Sequence, residues 1–391
     1  MICVGIDVSK DKHDCCIFSS DGQLLLKPFS VPNNRDGFDS LYSAILSFEN
    51  EPNKVKVGLE ATGHYSFNIL GYLLEKGIHC FVFNPLHTNL YRKSLTLRKT
   101  KTDKVDSKII AKMLLSEVDL KPYSKTLYHN EQLKSLSRYR FSKIRERGNL
   151  KQQLARLVNI LFPELETLVP SLHLSSVYAL LEEFPGASCI AKAHITRLSN
   201  LLCASSKGHY KKDKAVEIRN AASSSVGSVI PAKSLELKHT IQLIRILSEE
   251  IDEIEAQIQE IMEKIHSPIT SIPGLGFRMA AMILSEIGDF SKFDSPDKIL
   301  AFAGISPSTY QSGKLDNAYA HMEKRGSRYL RYALYNAAVY VCHWDPTFSA
   351  YLQKKRAEGK HYYVALSHAI KKLVRVIYRL QLTGEPYRSA V

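Results

Sequence analysis

The chain has 391 residues, 45% of them hydrophobic, which is enough for two or three packed domains. Lys and Arg total 53 against 39 Asp and Glu. The resulting net charge of +14 and pI near 9.3 point to a polyanionic partner, nucleic acid before membrane. No apolar run approaches the ~20 residues of a membrane span. The N-terminus lacks the basic-then-apolar pattern of a signal peptide. The seven cysteines are odd in number and show no CxxC or Cys/His ligand spacing, so zinc is not expected, and a reduced, cytosolic protein is.

Residues 1 to about 118 read as an α/β domain. Strands are expected at Ile2–Val8, Asp14–Ser19 and Gln23–Phe29, with Ser20-Asp-Gly as the hairpin turn between the last two. A helix follows from Asp36 to about Phe48, then a strand at Lys54–Leu59 and a helix from Ser66 to Lys76 capped by Gly77. Ile78–Phe83 is a short apolar strand. The segment from Thr102 or Asp103 to Leu115 is helical, with Ile109, Ile110, Met113 and Leu114 on one face. Three antiparallel strands, then helices alternating with two more strands, is the order of a ribonuclease H-like fold.

Four acids stand out along this domain. Asp7 ends the first strand, Glu60 ends the fourth, and Asp103 and Asp106 open the last helix. Acids at strand ends and a helix start can meet at one sheet edge. Such a cluster is costly unless a positive charge sits in it, and a pair of Mg²⁺ ions is the usual solution. Two ions of this kind clamp the attacking and leaving oxygens of a phosphodiester. As a local alternative, Asp103 caps its helix and Asp106 favours the helix dipole. That alternative leaves Asp7 and Glu60 unexplained.

Residues 119–266 read as a helical region. A long helix is expected over 129–165, with an apolar stripe through Leu133, Leu136, Leu150, Leu154, Leu157 and Leu161. Between Lys134 and Arg156 the basic residues Lys134, Arg138, Arg140, Lys143, Arg145, Arg147, Lys151 and Arg156 face a single acid, Glu146. A solvated helix normally mixes its signs, so this one is expected to track a phosphate backbone. Residues 170–235 read as short helices joined by a flexible connection through Ala221-Ala-Ser-Ser-Ser-Val-Gly-Ser. From Ile244 on, Leu247, Ile251, Ile254, Ile258, Ile261 and Ile265 form a coiled-coil seam. It fits either an intramolecular hairpin with the 129–165 helix or a pairing of two subunits.

Residues 267–391 read as a mainly α unit. Pro273-Gly-Leu-Gly precedes a helix at Phe277–Ile287 and either faces a phosphate with its N–H groups or makes a turn. A polar loop carries Ser306, Ser308 and Ser312. Lys324, Arg325, Arg328 and Arg331 follow at a helix start, where clustered guanidiniums can hold a phosphate. A serine beside them can attack phosphorus if a base or metal takes its proton. Chemistry alone does not choose among the three serines.

These segments together resemble one family. Gly5-Ile-Asp7-Val-Ser-Lys, Leu59-Glu60-Ala-Thr-Gly and Lys101-Thr-Asp103-Lys-Val-Asp106 are similar to the three acidic motifs of the DEDD transposases of the insertion-sequence 110 class. Ile272-Pro-Gly-Leu-Gly, Gly304-Ile-Ser-Pro, Tyr310-Gln-Ser-Gly and Lys324-Arg-Gly match its C-terminal domain in order. Ser107 stands where the family more often has Ala, and a serine follows Pro307 where many members carry a basic residue.

The resemblance implies a RuvC-like catalytic domain over 1–118, with Asp7, Glu60, Asp103 and Asp106 holding two Mg²⁺ ions. It implies Ser312 as a nucleophile that joins transiently to DNA, in a site completed between subunits of a dimer or tetramer. It also implies a noncoding guide RNA pairing with element-end and target DNA. The nucleic-acid contacts expected are Arg138, Arg140, Lys143, Arg145, Arg147 and Lys151, with Lys324, Arg325, Arg328 and Arg331. The setting expected is the cytoplasm of a bacterium or archaeon, without a membrane. The alternative is a metal-only nuclease of the Holliday-junction type, which needs the four acids but not Ser312.

Overall fold

A computed structural model of the chain describes residues 1–61, 64–95, 103–116, 120, 122–123, 130–306, 311–312, 315–316 and 322–389. It separates into two compact units, Met1–Glu131 and Gln132–Val391.

In the first unit, β1 (Ile2–Val8), β2 (Lys12–Ser19) and β3 (Leu24–Pro32) form an antiparallel meander. The turn before β3 uses Gly22 at φ 88. Helix α1 (Arg35–Leu46) starts at Asn34, whose Oδ1 accepts from Gly37 N–H at 2.9 Å. Strand β4 (Val55–Glu60), helix α2 (Ser66–Glu75) and strand β5 (His79–Phe83) follow. β4 and β5 join the sheet in parallel, giving the order β3-β2-β1-β4-β5. That is the ribonuclease H-like sheet expected from the element order. Helices α3 (Pro85–Leu95) and α4 (Asp103–Ser116) complete the unit. The sequence reading contains α4 but not α3.

Strand alternation divides the sheet's faces. Ile2, Val4, Ile6 and Val8 of β1 join Val55, Val57 and Leu59 of β4 in one core with Leu41, Ile45, Ile69 and Leu73 of α1 and α2. Cys3 packs instead with Ile109, Ile110 and Met113 of α4. Gly5 and Asp7 share the face of Cys3, and Gly58 and Glu60 share that face on β4. Gly5 and Gly58 are register partners, and α4 crosses directly over them. A Cβ on Gly5 would lie 2.1 Å from the Ser107 carbonyl oxygen, and one on Gly58 would lie 2.8 Å from Ile110. The two glycines therefore let α4 sit low enough to bring its first turn to the strand ends. Gly5→Ala is expected to push α4 off the sheet. Its thermal midpoint should fall steeply and any strand-cleaving activity should vanish, whereas Gly148→Ala, with open space around its Cβ, should fold.

The described part of the second unit is mainly helical. α5 (Glu131–Leu161) leads to α6 (Leu165–Leu168), α7 (Ser175–Glu183), α8 (Ala187–Lys192), α9 (Ile195–Ser205) and α10 (Lys212–Ser223). Then come α11 (Pro231–Ile265), α12 (Phe277–Ile287), α13 (Pro296–Phe302), α14 (Arg328–Trp344), α15 (Pro346–Ala357) and α16 (Tyr362–Thr383). α5 and α11 run antiparallel. Arg140 meets Glu255, Lys143 meets Glu250, Arg147 meets Ser248 and Gln153 meets Glu236. One end of the pair packs into a core with α6–α10, through Leu157, Leu161, Leu237 and Ile241. The other end packs with α12–α16, through Leu133, Ile254, Ile258 and Met262. The region expected as a linker is thus part of this unit's two cores, and the pairing within the chain is the hairpin alternative.

Two local expectations differ, and a third resolves to one of its alternatives. The buried row of α11 leaves the heptad step after Ile258 and continues through Met262, so Ile265 is exposed. The tract after α10 is pinned rather than loose: Ser225 Oγ donates to Glu164 at 2.5 Å, Val226 N–H at 3.0 Å, and Ser228 N–H reaches the Ile160 carbonyl at 2.8 Å. Those donors hold the Glu164 carboxyl below its usual pKa. Gly274, at φ 84, lies against α14, where a Cβ would meet the Tyr340 carbonyl at 2.5 Å. The Pro-Gly-Leu-Gly stretch therefore makes a packed turn.

Candidate active site

The strand alternation puts Asp7 and Glu60 side by side at the ends of two parallel strands, under the first turn of α4 with Asp103 and Asp106. Asp7 registers their crowding. Its carboxyl is pushed up to about 7 by burial first, then by Asp106, Asp103, Glu60 and Asp14. Asp14, opposite Asp7 across β1 and β2, is only 1% exposed. It accepts from Ser30 Oγ at 2.6 Å and pairs with Lys12 at 3.0 Å.

Two cations stand among these acids. Lys12 Nζ lies 4.0 Å from Asp103, and Arg92 Nη1 lies 3.4 Å from Asp106. Arg92 comes from α3 and is braced by Asn89 Oδ1 at 2.8 Å. α3 is held to α4 by Tyr91, whose hydroxyl meets Ser116 Oγ at 2.9 Å. Beside the acids opens a cleft of about 280 Å³, lined by Glu60, Thr88, Asn89, Arg92, Asp106 and Ile110.

Among the described residues no three His, Cys, Asp or Glu side chains are close enough to hold a metal ion as they stand. The donor set nonetheless has the chemistry of a hard divalent cation: all oxygen, four carboxylates, with Asp7 pushed up to about 7 by burial and then by the neighbouring acids. A cation at this edge would relieve the repulsion that raises Asp7.

In the second unit, Ser312 lies in a two-residue strand, β6 (Gln311–Ser312), paired with β7 (Leu315–Asp316). Ser308 lies outside the described residues, as do Thr62, Gly63, Lys101 and Thr102 of the acidic motifs. The basic residues divide into two groups. Arg138 holds Glu286 through Nε at 2.6 Å and Nη2 at 3.0 Å. Arg140 is buried against Glu255, which also holds Arg278 at 2.6 Å. Lys143 pairs with Glu250 at 2.7 Å, and Arg147 donates to Ser248. Arg331 donates to the carbonyls of Ala303 and Lys324 and so ties two loops together. These five are engaged inside the protein. Arg145, Lys324, Arg325 and Arg328 are exposed, and Lys151 is half-buried. Arg140→Ala, which strands part of a buried carboxylate, is expected to cost on the order of 3 kcal/mol in denaturant unfolding.

Two family models match this chain. Residues 4–163 match a DEDD model described as a transposase, and residues 266–353 match the transposase IS116/IS110/IS902 family. The two matched stretches contain all four acids and Ser312. The chain belongs to the insertion-sequence 110 class of transposases.

Relatives span nearly the whole transposase. The 44.8 kDa protein of insertion element IS116 from Streptomyces clavuligerus is 24% identical over 97% of this chain and 94% of its own length. The pilin gene-inverting protein of Moraxella bovis is 23% identical over 99% and 98%. The 43.6 kDa protein of IS110 from Streptomyces coelicolor is 30% identical over 138 residues, 35% of this chain and 34% of that one. Among solved structures, Thermus thermophilus RuvC aligns over 32% of this chain and 100% of its own, at 13% identity and a TM-score of 0.24.

In this transposase the sequence reading missed Lys12, Asp14, Asn89 and Arg92 at the site. Asp14 had a signal: the short Ser9–Asp11 connection sets it opposite Asp7. Arg92 had none, because α3 lacks an apolar stripe.

Proposed function

We propose that this transposase is a Mg²⁺-dependent DNA recombinase that cuts and rejoins strands through Asp7, Glu60, Asp103, Asp106 and Ser312. The observation that supports it best is the placement of Asp7 and Glu60 at adjacent strand ends beneath the first turn of α4, which carries Asp103 and Asp106. The four carboxylates would hold two Mg²⁺ ions, which supply Lewis-acid stabilisation of phosphoryl oxygens. Asp7 and Glu60 are fixed by strand ends, and Asp103 and Asp106 by the first turn of α4. Arg92, braced by Asn89, keeps Asp106 in place. Ser312 would attack phosphorus: its Oγ gives up its proton and bonds to P as a P–O bond to deoxyribose breaks, and the leaving deoxyribose oxygen takes up a proton. A hydroxyl of a second strand would then attack the phosphoserine, losing its proton as the Oγ–P bond breaks and Ser312 is reprotonated.

On this reading the partners are element-end and target DNA, a noncoding guide RNA and further copies of the chain, in a dimer or tetramer. The setting is a bacterial or archaeal cytoplasm. Among the described residues no helix is long and apolar enough to cross a membrane. No zinc finger is present among the described residues, and base pairing with a guide would supply the reading of sequence.

The test is a cleavage assay on element-end DNA, with and without RNA transcribed from the element's flanking noncoding region. Cleavage that requires both Mg²⁺ and the RNA is expected. Cleavage indifferent to the RNA would remove the guide from the proposal, and no cleavage in either arm would remove the activity.

A further inference from the structure

Helix α5 and the start of α14 meet in a cleft of about 190 Å³. α5 contributes Phe141, Arg145 and Asn149 at steps of four, so they form one row, with Ser142 beside them. α14 contributes Arg328 and Tyr329 from its first turn. The cleft therefore joins the two basic stretches that are some 180 residues apart in the sequence.

Its two arginines differ from their neighbours. Arg138, Arg140 and Lys143 each have a carboxylate partner on another helix. Among the described residues Arg145 and Arg328 have none. Aromatic rings orient them instead: Arg145 lies 5.8 Å over Phe141, and Arg328 lies 4.8 Å over Tyr329 and donates to its hydroxyl at 2.8 Å. A guanidinium laid on a ring loses side-chain freedom but keeps its charge and most of its N–H donors. The rings are themselves fixed, since Phe141 meets Tyr329 edge-on at 5.2 Å and Arg138 covers Tyr329 at 4.6 Å. The first turn of α14 adds the positive end of a helix of 17 residues. One acid, Glu146, borders the cleft, half-exposed and accepting from Ser142 Oγ at 3.2 Å.

We infer that this cleft is a phosphate subsite, in which Arg145 and Arg328 grip one phosphodiester of a nucleic-acid strand. It rests on the nucleic-acid reading above and narrows it: the paired arginines of α5 hold the helices together, and the unpaired one binds. Two planar forks and the Asn149 amide suit the oxygens of a phosphate. DNA and RNA offer the same group, so the source is left to the measurement.

The test uses full-length protein with fluorescein-labelled single-stranded DNA and, separately, RNA of the same sequence. Binding is read by anisotropy across a salt series. Arg145→Gln and Arg328→Gln should each weaken binding about three- to tenfold and lower the salt slope by about 0.7, the value for one phosphate contact on a single strand. The double variant should be little worse than either single one, because both grip the same phosphate. Glu146→Gln should tighten binding, a gain that misfolding does not produce. Arg197→Gln, which removes an equal charge from α9, is the control, and thermal midpoints confirm folding. If only the RNA probe responds, RNA is the source, and likewise for DNA. The inference is overturned if Arg145→Gln and Arg328→Gln behave like Arg197→Gln, or if Glu146→Gln weakens binding. Failure of the wild type to bind either probe would overturn the nucleic-acid reading itself.

Discussion

Asp7→Asn is expected to abolish strand cleavage and yet to raise the thermal midpoint of the metal-free protein at about pH 8. Asp7 is pushed up from 3.8 to about 7, by burial first and then by Asp106, Asp103, Glu60 and Asp14. The folded chain therefore holds this proton more tightly than the unfolded chain does. The stability that follows is fully present below the unfolded value, about 4, and is lost as pH rises through about 7. Metal-free wild type should weaken over that window. The Asn variant carries no proton there and should not show this loss, so above it the variant should melt a few degrees higher. Melting curves in chelator across the pH range check the sign. An Asn variant that melts lower than wild type at alkaline pH would contradict a carboxyl raised by burial and by its neighbours. Retained cleavage would separate Asp7 from the chemistry.

Ser312→Ala is expected to eliminate covalent protein–DNA adducts without changing stability. Its place in β6 rests on backbone pairing with Leu315, and alanine keeps that pairing. Removing a nucleophile typically lowers turnover by about a million-fold in a serine enzyme, so strand exchange should be undetectable. Adducts resolved on a denaturing gel, with the modified peptide mapped, make the comparison. Adducts that persist in Ser312→Ala and vanish in Ser308→Ala or Ser306→Ala would move the nucleophile. Cleavage without any adduct, unaffected by the substitution, would favour the metal-only nuclease.

The first unit was legible because its signals are local. β1 runs over Ile2–Val8 as its apolar run indicates, and the alternation Cys3, Gly5, Asp7 already assigns the acid to a face. α4 begins at Asp103, where two acids suit a helix start. α3 was invisible because Pro85–Leu95 is mostly polar and is placed by contacts such as Tyr91 with α4, which no local pattern encodes. The basic helix was half legible. Its charge is plain in the sequence, but the acids that occupy Arg138, Arg140 and Lys143 lie more than a hundred residues away, at Glu286, Glu255 and Glu250. Sequence spacing alone gave Arg328 and Arg331 one role. The fold gives Arg331 to two backbone carbonyls and leaves Arg328 at a cleft. The acidic partner Asp14 was encoded, but only through a strand register that had to be known first.

The most direct measurement is the response of the thermal midpoint to Mg²⁺, taken above neutral pH for wild type and for Asp7→Asn, Glu60→Gln, Asp103→Asn and Asp106→Asn. If the four acids hold the ions together, Mg²⁺ should raise the wild-type midpoint, and each substitution should blunt that rise while leaving the fold intact. A wild type that ignores Mg²⁺, or four variants that respond to it as wild type does, would contradict a metal centre at this sheet edge.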